Sequence, residues 1–246
     1  MAHRHAIRIR LTALLLTASA CFAHAQEPAK HIVFTCSLAS SIPAVARLES
    51  YYRDAFAELG YTFEMRERPS KRAIAEAAAG ASDGECARVK NTLAAQYRSA
   101  LTPIDVVVGS TTINIWSRQR EPLTLKSLSQ PQNTIGYVDG NEASRQILEK
   151  LSAKLGDQAP NVIAVNSHQT ALRMLAFGRL THCIGPQVSY KAAAVTASLT
   201  GQVFDAGILY TAQAAPLLNN RHRDLLAPFT RELRAIVSER GVIETY

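Results

Sequence analysis

The chain has 246 residues, with 27 Lys or Arg against 20 Asp or Glu and a formal net charge of +7. The basic residues form no block and no aromatic-interleaved stripe, which argues against nucleic acid as a partner and permits only a mild preference for anionic ligands. The length suits two small α/β lobes, and no repeat, long linker or low-complexity segment interrupts it.

Residues 1–25 read as a secretory leader. Arg4, Arg8 and Arg10 form a basic start, Leu11 to Ala23 is an apolar run too short to cross a bilayer, and Ala23-His24-Ala25 is a small-residue cleavage site. Cys21 as a lipidated residue is the alternative, weakened by Ala18 where Leu is usual. Beyond the leader no run approaches the ~20 apolar residues of a membrane helix. The expectation is a protein free in an oxidising compartment, most simply a bacterial periplasm. Without the leader, 24 basic residues face 20 acidic ones, a net charge of +4.

His31 to Thr35 is a short apolar strand. Ser41 can cap the helix that follows, with Pro43 in its first turn and Val45, Leu48, Tyr52, Phe56 and Leu59 along one face. Tyr61 to Met65 is the next strand, stopped by Pro69. Ser70 can cap a helix through Ala79, which Gly80 ends in a left-handed turn. Asp83-Gly84 turns the chain into a third strand. Strand, helix, strand implies a parallel sheet with its ligand crevice at the strands' C-terminal ends. Leu93, Tyr97 and Leu101 predict a helix, and Ile104 to Val108 a central strand. Gly109-Ser110-Thr111-Thr112 is small and polar, as expected where the chain passes between lobes. A second α/β unit follows: strand Thr134–Val138, a helix after Asp139-Gly140-Asn141-Glu142, strand Asn161–Val165, and a helix capped by Ser167 and closed by Gly178-Arg179. Phe204 to Tyr210 reads as a returning strand, and Ala227 to Arg240 as a terminal helix.

One stretch carries a resemblance. Leu59-Gly60-Tyr61 precedes Pro69-Ser70-Lys71-Arg72-Ala73, and Gly80-Ala81-Ser82-Asp83-Gly84-Glu85-Cys86-Ala87-Arg88 follows. This pattern resembles the periplasmic solute-binding proteins of the amino-acid-binding type, the bacterial extracellular solute-binding family 3. Leu175 to Arg179 resembles a later family segment, until Thr181 replaces its usual Asp. The resemblance implies an α/β, two-lobed periplasmic-binding-protein-like fold. Each lobe would be a mostly parallel sheet flanked by helices, and two crossing strands would join them. The expected organisation is 1–25 leader, 26–112 first lobe, 113–203 second lobe and 204–246 return to the first, with hinges near Gly109–Ile113 and Gln202–Gly207. It also implies a monomer that captures a small polar solute, an anion among the options, between its lobes for a membrane ABC transporter. No cofactor or metal is implied, and no CxxC or HxxxH spacing supports zinc.

The expected ligand-binding residues are Ser37, Arg72, Glu85, Arg88, Ser110, Thr111, Trp116, Asn141 and Ser167. A guanidinium grips a carboxylate through two parallel hydrogen bonds, and helix N-termini attract anions. Arg66, Arg68 and Lys71 read mainly as solvated surface, with Arg72 the exception because it fits the family's Pro-x-x-Arg position. Glu85 and Arg88 can bind ligand or pair with each other. The family's aromatic platform is missing from Cys36-Ser37-Leu38-Ala39-Ser40, and Arg118 and Arg120 do not match its carboxylate-binding Arg, so no amino acid is assigned as ligand. Cys36 and Cys86 end up on neighbouring strands of a 2-1-3 sheet and are the preferred disulfide, against the alternative of three reduced cysteines with Cys183. The rival functions are a dehydratase-like enzyme on the same fold, with Glu85, Glu142 or His168 as acid or base, and a soluble sensory or adaptor protein.

Overall fold

The computed structural model describes residues 30–245; the leader lies outside them. Among the described residues ten strands form one sheet. In chain order these are β1 (Lys30–Cys36), β2 (Tyr61–Glu67), β3 (Gly84–Val89), β4 (Leu101–Pro103), β5 (Gly109–Ser117), β6 (Thr134–Val138), β7 (Asn161–Val165), β8 (His182–Pro186), β9 (Phe204–Asn219) and β10 (Ile243–Thr245). The helices are α1 (Pro43–Ala57), α2 (Ser70–Ala79), α3 (Leu125–Leu128), α4 (Glu142–Leu155), α5 (His168–Ala176), α6 (Gln187–Thr196) and α7 (Arg223–Arg240). The sheet order is β2-β1-β3-β9-β5-β8-β6-β7, with β10 on β5 and β4 on β9.

This is the two-lobed periplasmic-binding fold. The parallel trio β2-β1-β3 makes one lobe, and the parallel trio β8-β6-β7 makes the other. The long antiparallel pair β5 and β9 joins them. The start of β9 pairs with the end of β5, which borders β8, and its far end pairs with β3 and β4. The passage of β9 between the halves therefore falls at Ile208–Ala214, later than the expected Gln202–Gly207. A register shift at Ile113/Asn114 marks the same level in β5.

Each lobe buries its own core. In the first, Phe34, Tyr52, Phe56 and Phe229 are fully enclosed, and Phe56 stacks on Phe229 at 4.2 Å. This contact fastens α7, the last helix, onto the first lobe. In the second, Trp116 stacks on Tyr190 at 5.4 Å among Leu172, Leu175 and Leu180. Asp83 ties the returning tail down: it accepts from the Val33 N–H at 2.7 Å and pairs with Arg221 and His222. Thr181, in the place of the family's Asp, exchanges two hydrogen bonds with the Thr134 backbone and fixes the β6–β8 edge.

Several local expectations change. Ser41 and Ser70 do not cap: α1 and α2 begin after Ile42 and Pro69, because the prolines set the entry backbone. The helix predicted over Leu93–Leu101 is a single 3-10 turn, Ala95–Tyr97, and Leu101 belongs to a short strand on β9. Ile104–Val108 is irregular chain in which Ile104, Val106 and Val108 are buried and Asp105 is exposed. It is held by Ile104 N–H to Pro216 O and Val108 N–H to Ala214 O, so the strand starts only at Gly109. The caps at Asn141 and Ser167 form as expected, accepting from Ser144 and Thr170 N–H, and Gly80 ends α2 at φ 77°.

Candidate ligand cleft

The C-terminal ends of the parallel strands in both lobes converge on a cavity of about 110 Å³ between the lobes. The first lobe brings Ser37 and Leu38 from the exit of β1, Leu48 from α1, Ser70 from the start of α2 and Arg88 from β3. The second brings Asn141 and Glu142 at the start of α4, His168 at the start of α5, and Pro186 and Ser189 at the start of α6. Gly109 to Thr111 of β5, Ala214 of β9, and Ile243 and Thr245 of β10 close the floor.

Of the residues expected at the site, Ser37, Arg88, Ser110, Thr111 and Asn141 line this cavity. Ser167 lies in an adjoining recess with Ser37, Arg68 and Ser70, where its hydroxyl is used as a helix cap. Three others lie elsewhere. Arg72 is on the surface, its side chain 68% exposed and bound to Glu76 at 2.5 Å, one helical turn away. Trp116 is buried in the second lobe's core. Glu85 is fully buried behind Arg88 and does not reach the cavity. The basic cluster as a whole is partnered: Arg66 with Glu64, Arg68 with Glu76, Lys71 with Asp139.

Arg88 is the central side chain. Its Nε donates to Glu85 at 2.6 Å. Nη2 donates to Ser70 O at 2.9 Å, and Nη1 to Gly140 O at 2.6 Å and Ser70 Oγ at 3.3 Å. In a regular strand residues three apart point to opposite faces. Here β3 carries a bulge: Cys86 and Ala87 together oppose Pro216 of β9, so Glu85 and Arg88 share a face. Pro216 has no N–H to give the ladder, which is why the irregularity sits there. Burial pushes the Glu85 carboxyl upward and the Arg88 charge opposes it.

Because Gly140 belongs to the second lobe, Arg88 also bridges the lobes. Lys71 Nζ to Asp139 at 2.9 Å is a second bridge at the exposed rim. Gly140 fits because it has no side chain: at φ 87°, a Cβ there would lie 2.5 Å from Lys71 N and 2.7 Å from its Cα. Gly140→Ala is therefore expected to hold the lobes apart. Small-angle scattering should show a larger radius of gyration, and any interlobe ligand should bind at least ~10-fold more weakly. Gly60→Ala is the control, since its φ of 78° carries the same backbone cost with open space around it. Equal behaviour of the two variants would remove Gly140 from lobe closure.

Sequence reasoning undervalued His168. Its Nε2 is enclosed without a hydrogen-bond partner, and its ring stands edge-on to Tyr190 at 4.8 Å. Burial lowers its pKa to about 4 from 6.5. A depressed basic pKa contributes stability that is complete above about pH 6.5 and is lost as pH falls toward 4, because the unfolded chain takes up the proton first. His168→Leu should remove up to about 3 kcal/mol of that acid-side loss. The check is urea unfolding of both proteins across this range; parallel curves would refute it. The walls from β8, α6 and β10 were also missed. Their only sequence signal was the apolar run Cys183-Ile184-Gly185 ending at Pro186, and the tail offered none.

The fold and the cleft between its lobes place the chain in the structural class of two-lobed periplasmic-binding domains. No protein-family model matches the sequence, and no curated protein matches it. Many solved structures match the fold. An ancestral arginine-binding protein bound to arginine superposes with a TM-score of 0.67 at 13% identity, covering 85% of this chain and 93% of that one. The amino acid ABC transporter substrate-binding protein AbpA of Streptococcus pneumoniae, bound to L-arginine, gives 0.64 at 10% identity, with 85% and 90% covered. The BvgS VFT2 domain of Bordetella pertussis gives 0.63 at 17% identity, with 85% and 89% covered. The similarity is one of fold.

Proposed function

We propose that this protein is an exported solute-binding protein that captures a small polar solute between its lobes. The observation that carries this reading is the cavity between the lobes, whose rim is bridged by Arg88 to Gly140 and Lys71 to Asp139. Closure of two lobes around a ligand is a hinge motion, and ligand binding shifts its equilibrium. The leader at 1–25 would deliver the protein to a periplasm, and a membrane ABC transporter would be the partner of a monomeric receptor. We assign the first lobe to 26–112 together with the chain after the β9 crossing, and the second to 113–203 together with the start of β9. Among the described residues no helix is long and apolar enough to cross a membrane. The fold is shared with transporter receptors and with a histidine kinase sensor domain, so presentation to a sensor is the second reading.

An anionic ligand finds little support. Arg72 is outside the cavity and Arg88 is already neutralised. Enzyme chemistry is also poorly supported, because Glu85 is paired with Arg88 and Glu142 is held by Arg145 at 2.6 Å. Neither carboxylate is free to complement His168 as acid or base.

The test is a thermal-shift screen of protein lacking residues 1–25 against small metabolites, with mass analysis of each stabilising compound. A ligand that binds only the native state raises the melting temperature by mass action. A compound recovered intact supports the receptor; one converted to product overturns it in favour of an enzyme.

A further inference from the structure

We propose that the cleft selects an uncharged, compact, largely apolar molecule carrying a hydrogen-bonding group, rather than an amino acid or another ion. The inference rests on the solute-binding reading and narrows the solute.

Charge comes first. A charged ligand enclosed between lobes needs an opposite charge or several donors, since an unpaired buried ion is strongly disfavoured. The cavity wall holds one permanent cation, Arg88, and one carboxylate, Glu142. All three nitrogens of Arg88 already donate to Glu85, Ser70 and Gly140. Glu142 is gripped by two nitrogens of Arg145 at 2.6 and 2.9 Å. His168 is held neutral by burial through the physiological range. An amino acid, with both signs to satisfy, meets only a guanidinium and a carboxylate that are each already paired.

Hydrogen bonding comes second. Two wall residues carry polar atoms without a partner in the protein, Thr111 Oγ1 and His168 Nε2; both atoms are covered, so a ligand group reaches them only as the wall side chains shift around it. Buried polar groups are ordinarily paired, and those left over call for an explanation. A hydroxyl can donate or accept, and a neutral imidazole nitrogen does one or the other according to tautomer. Together they suit an amide, alcohol or carbonyl.

Shape comes third. Most of the remaining wall is carbon, from Leu38, Leu48, Val89, Val108, Pro186 and Ile243. An apolar cavity of about 150 Å³ accepts benzene. At about 110 Å³, this one suits a small ring or branched chain, the lobes relaxing slightly for anything larger.

The test uses probes of one shape and different charge: benzamide, benzoate and benzamidine, then isobutyramide, isobutyrate and isobutyramidine, with L-arginine as a further comparison. Binding is read by calorimetry and thermal shift at pH 7 and two salt concentrations. At least one amide is expected to bind, its charged counterparts at least ~10-fold more weakly, with little dependence on salt. Thr111→Val and His168→Leu should each weaken the amide about 2–10-fold, as loss of one neutral hydrogen bond does, while the unfolding midpoint confirms a folded variant. Benzoate, benzamidine, either charged aliphatic probe or L-arginine binding as well as the amides would overturn the uncharged class and leave the receptor reading standing. Failure of both amides to bind folded protein would overturn it too. Wild-type affinity in both variants would overturn the assignment of Thr111 and His168.

Discussion

Arg88→Met is expected to destabilise the protein by about 3–5 kcal/mol, because it leaves the Glu85 carboxylate without its cation. Glu85 is fully buried, and its second oxygen, Oε1, has no partner even in the intact pair. Removing the guanidinium thus leaves the carboxyl to take up a proton or draw in water. The double variant Glu85→Leu/Arg88→Met should recover much of the loss, since a buried pair replaced by apolar side chains of similar volume is often neutral. Lobe closure should not recover with it. The bonds from Arg88 to Gly140 O and Ser70 O disappear in both variants, so scattering should report a more open molecule even where urea unfolding reports restored stability. A cost below 1 kcal/mol for Arg88→Met would show that the pair contributes little. A double variant as compact as the parent would show that Arg88 does not hold the lobes.

The second large effect concerns Cys36 and Cys86, which the structure joins in a disulfide spanning 50 residues of chain. The bridge links the last residue of β1 to the middle of β3. Closing a loop of that length restricts the unfolded chain by about 4 kcal/mol in the chain-entropy account. Cys36→Ala/Cys86→Ala should therefore lower stability by about that amount. A reductant should lower the wild-type midpoint and leave the variant unchanged. Thiol counting on unfolded, unreduced protein lacking residues 1–25 should find one thiol, that of buried Cys183. Three thiols, or identical midpoints for variant and parent, would refute the bridge.

How much of this was legible depends on how local each cause is. The strand–helix–strand unit from Tyr61 to Val89 could be read because Pro69, the Ala-rich helix and Gly80 act on their immediate neighbours. The same holds for the caps at Asn141 and Ser167, where one side chain meets an N–H three residues on. Leu93 to Val108 was misread because its apolar residues record burial against β9, not helical or strand periodicity. Cys36–Cys86 was a preferred pairing rather than a derived one, since it needed the sheet order as well as the sequence. The motif position points to Arg72 as a ligand residue, but Glu76, one turn along the helix, binds it instead.

The sequence by itself determined the alternation of strands and helices, the two-lobed class its motifs resemble, and a set of small polar residues at strand ends. Those features follow from short-range sterics, capping and hydrophobic periodicity, which act within a few residues. Only the tertiary structure decided what the cleft contains. Pro216 lies far along the chain from β3, yet the bulge facing it turns Arg88 onto the same face as Glu85. Gly140 meets Lys71 across the lobe interface. His168, an ordinary helix-start residue in the sequence, is enclosed without a partner in the cleft wall. Charge neutralisation and the orphaning of polar atoms are properties of residues brought together from distant segments, so they exist only once the chain has folded.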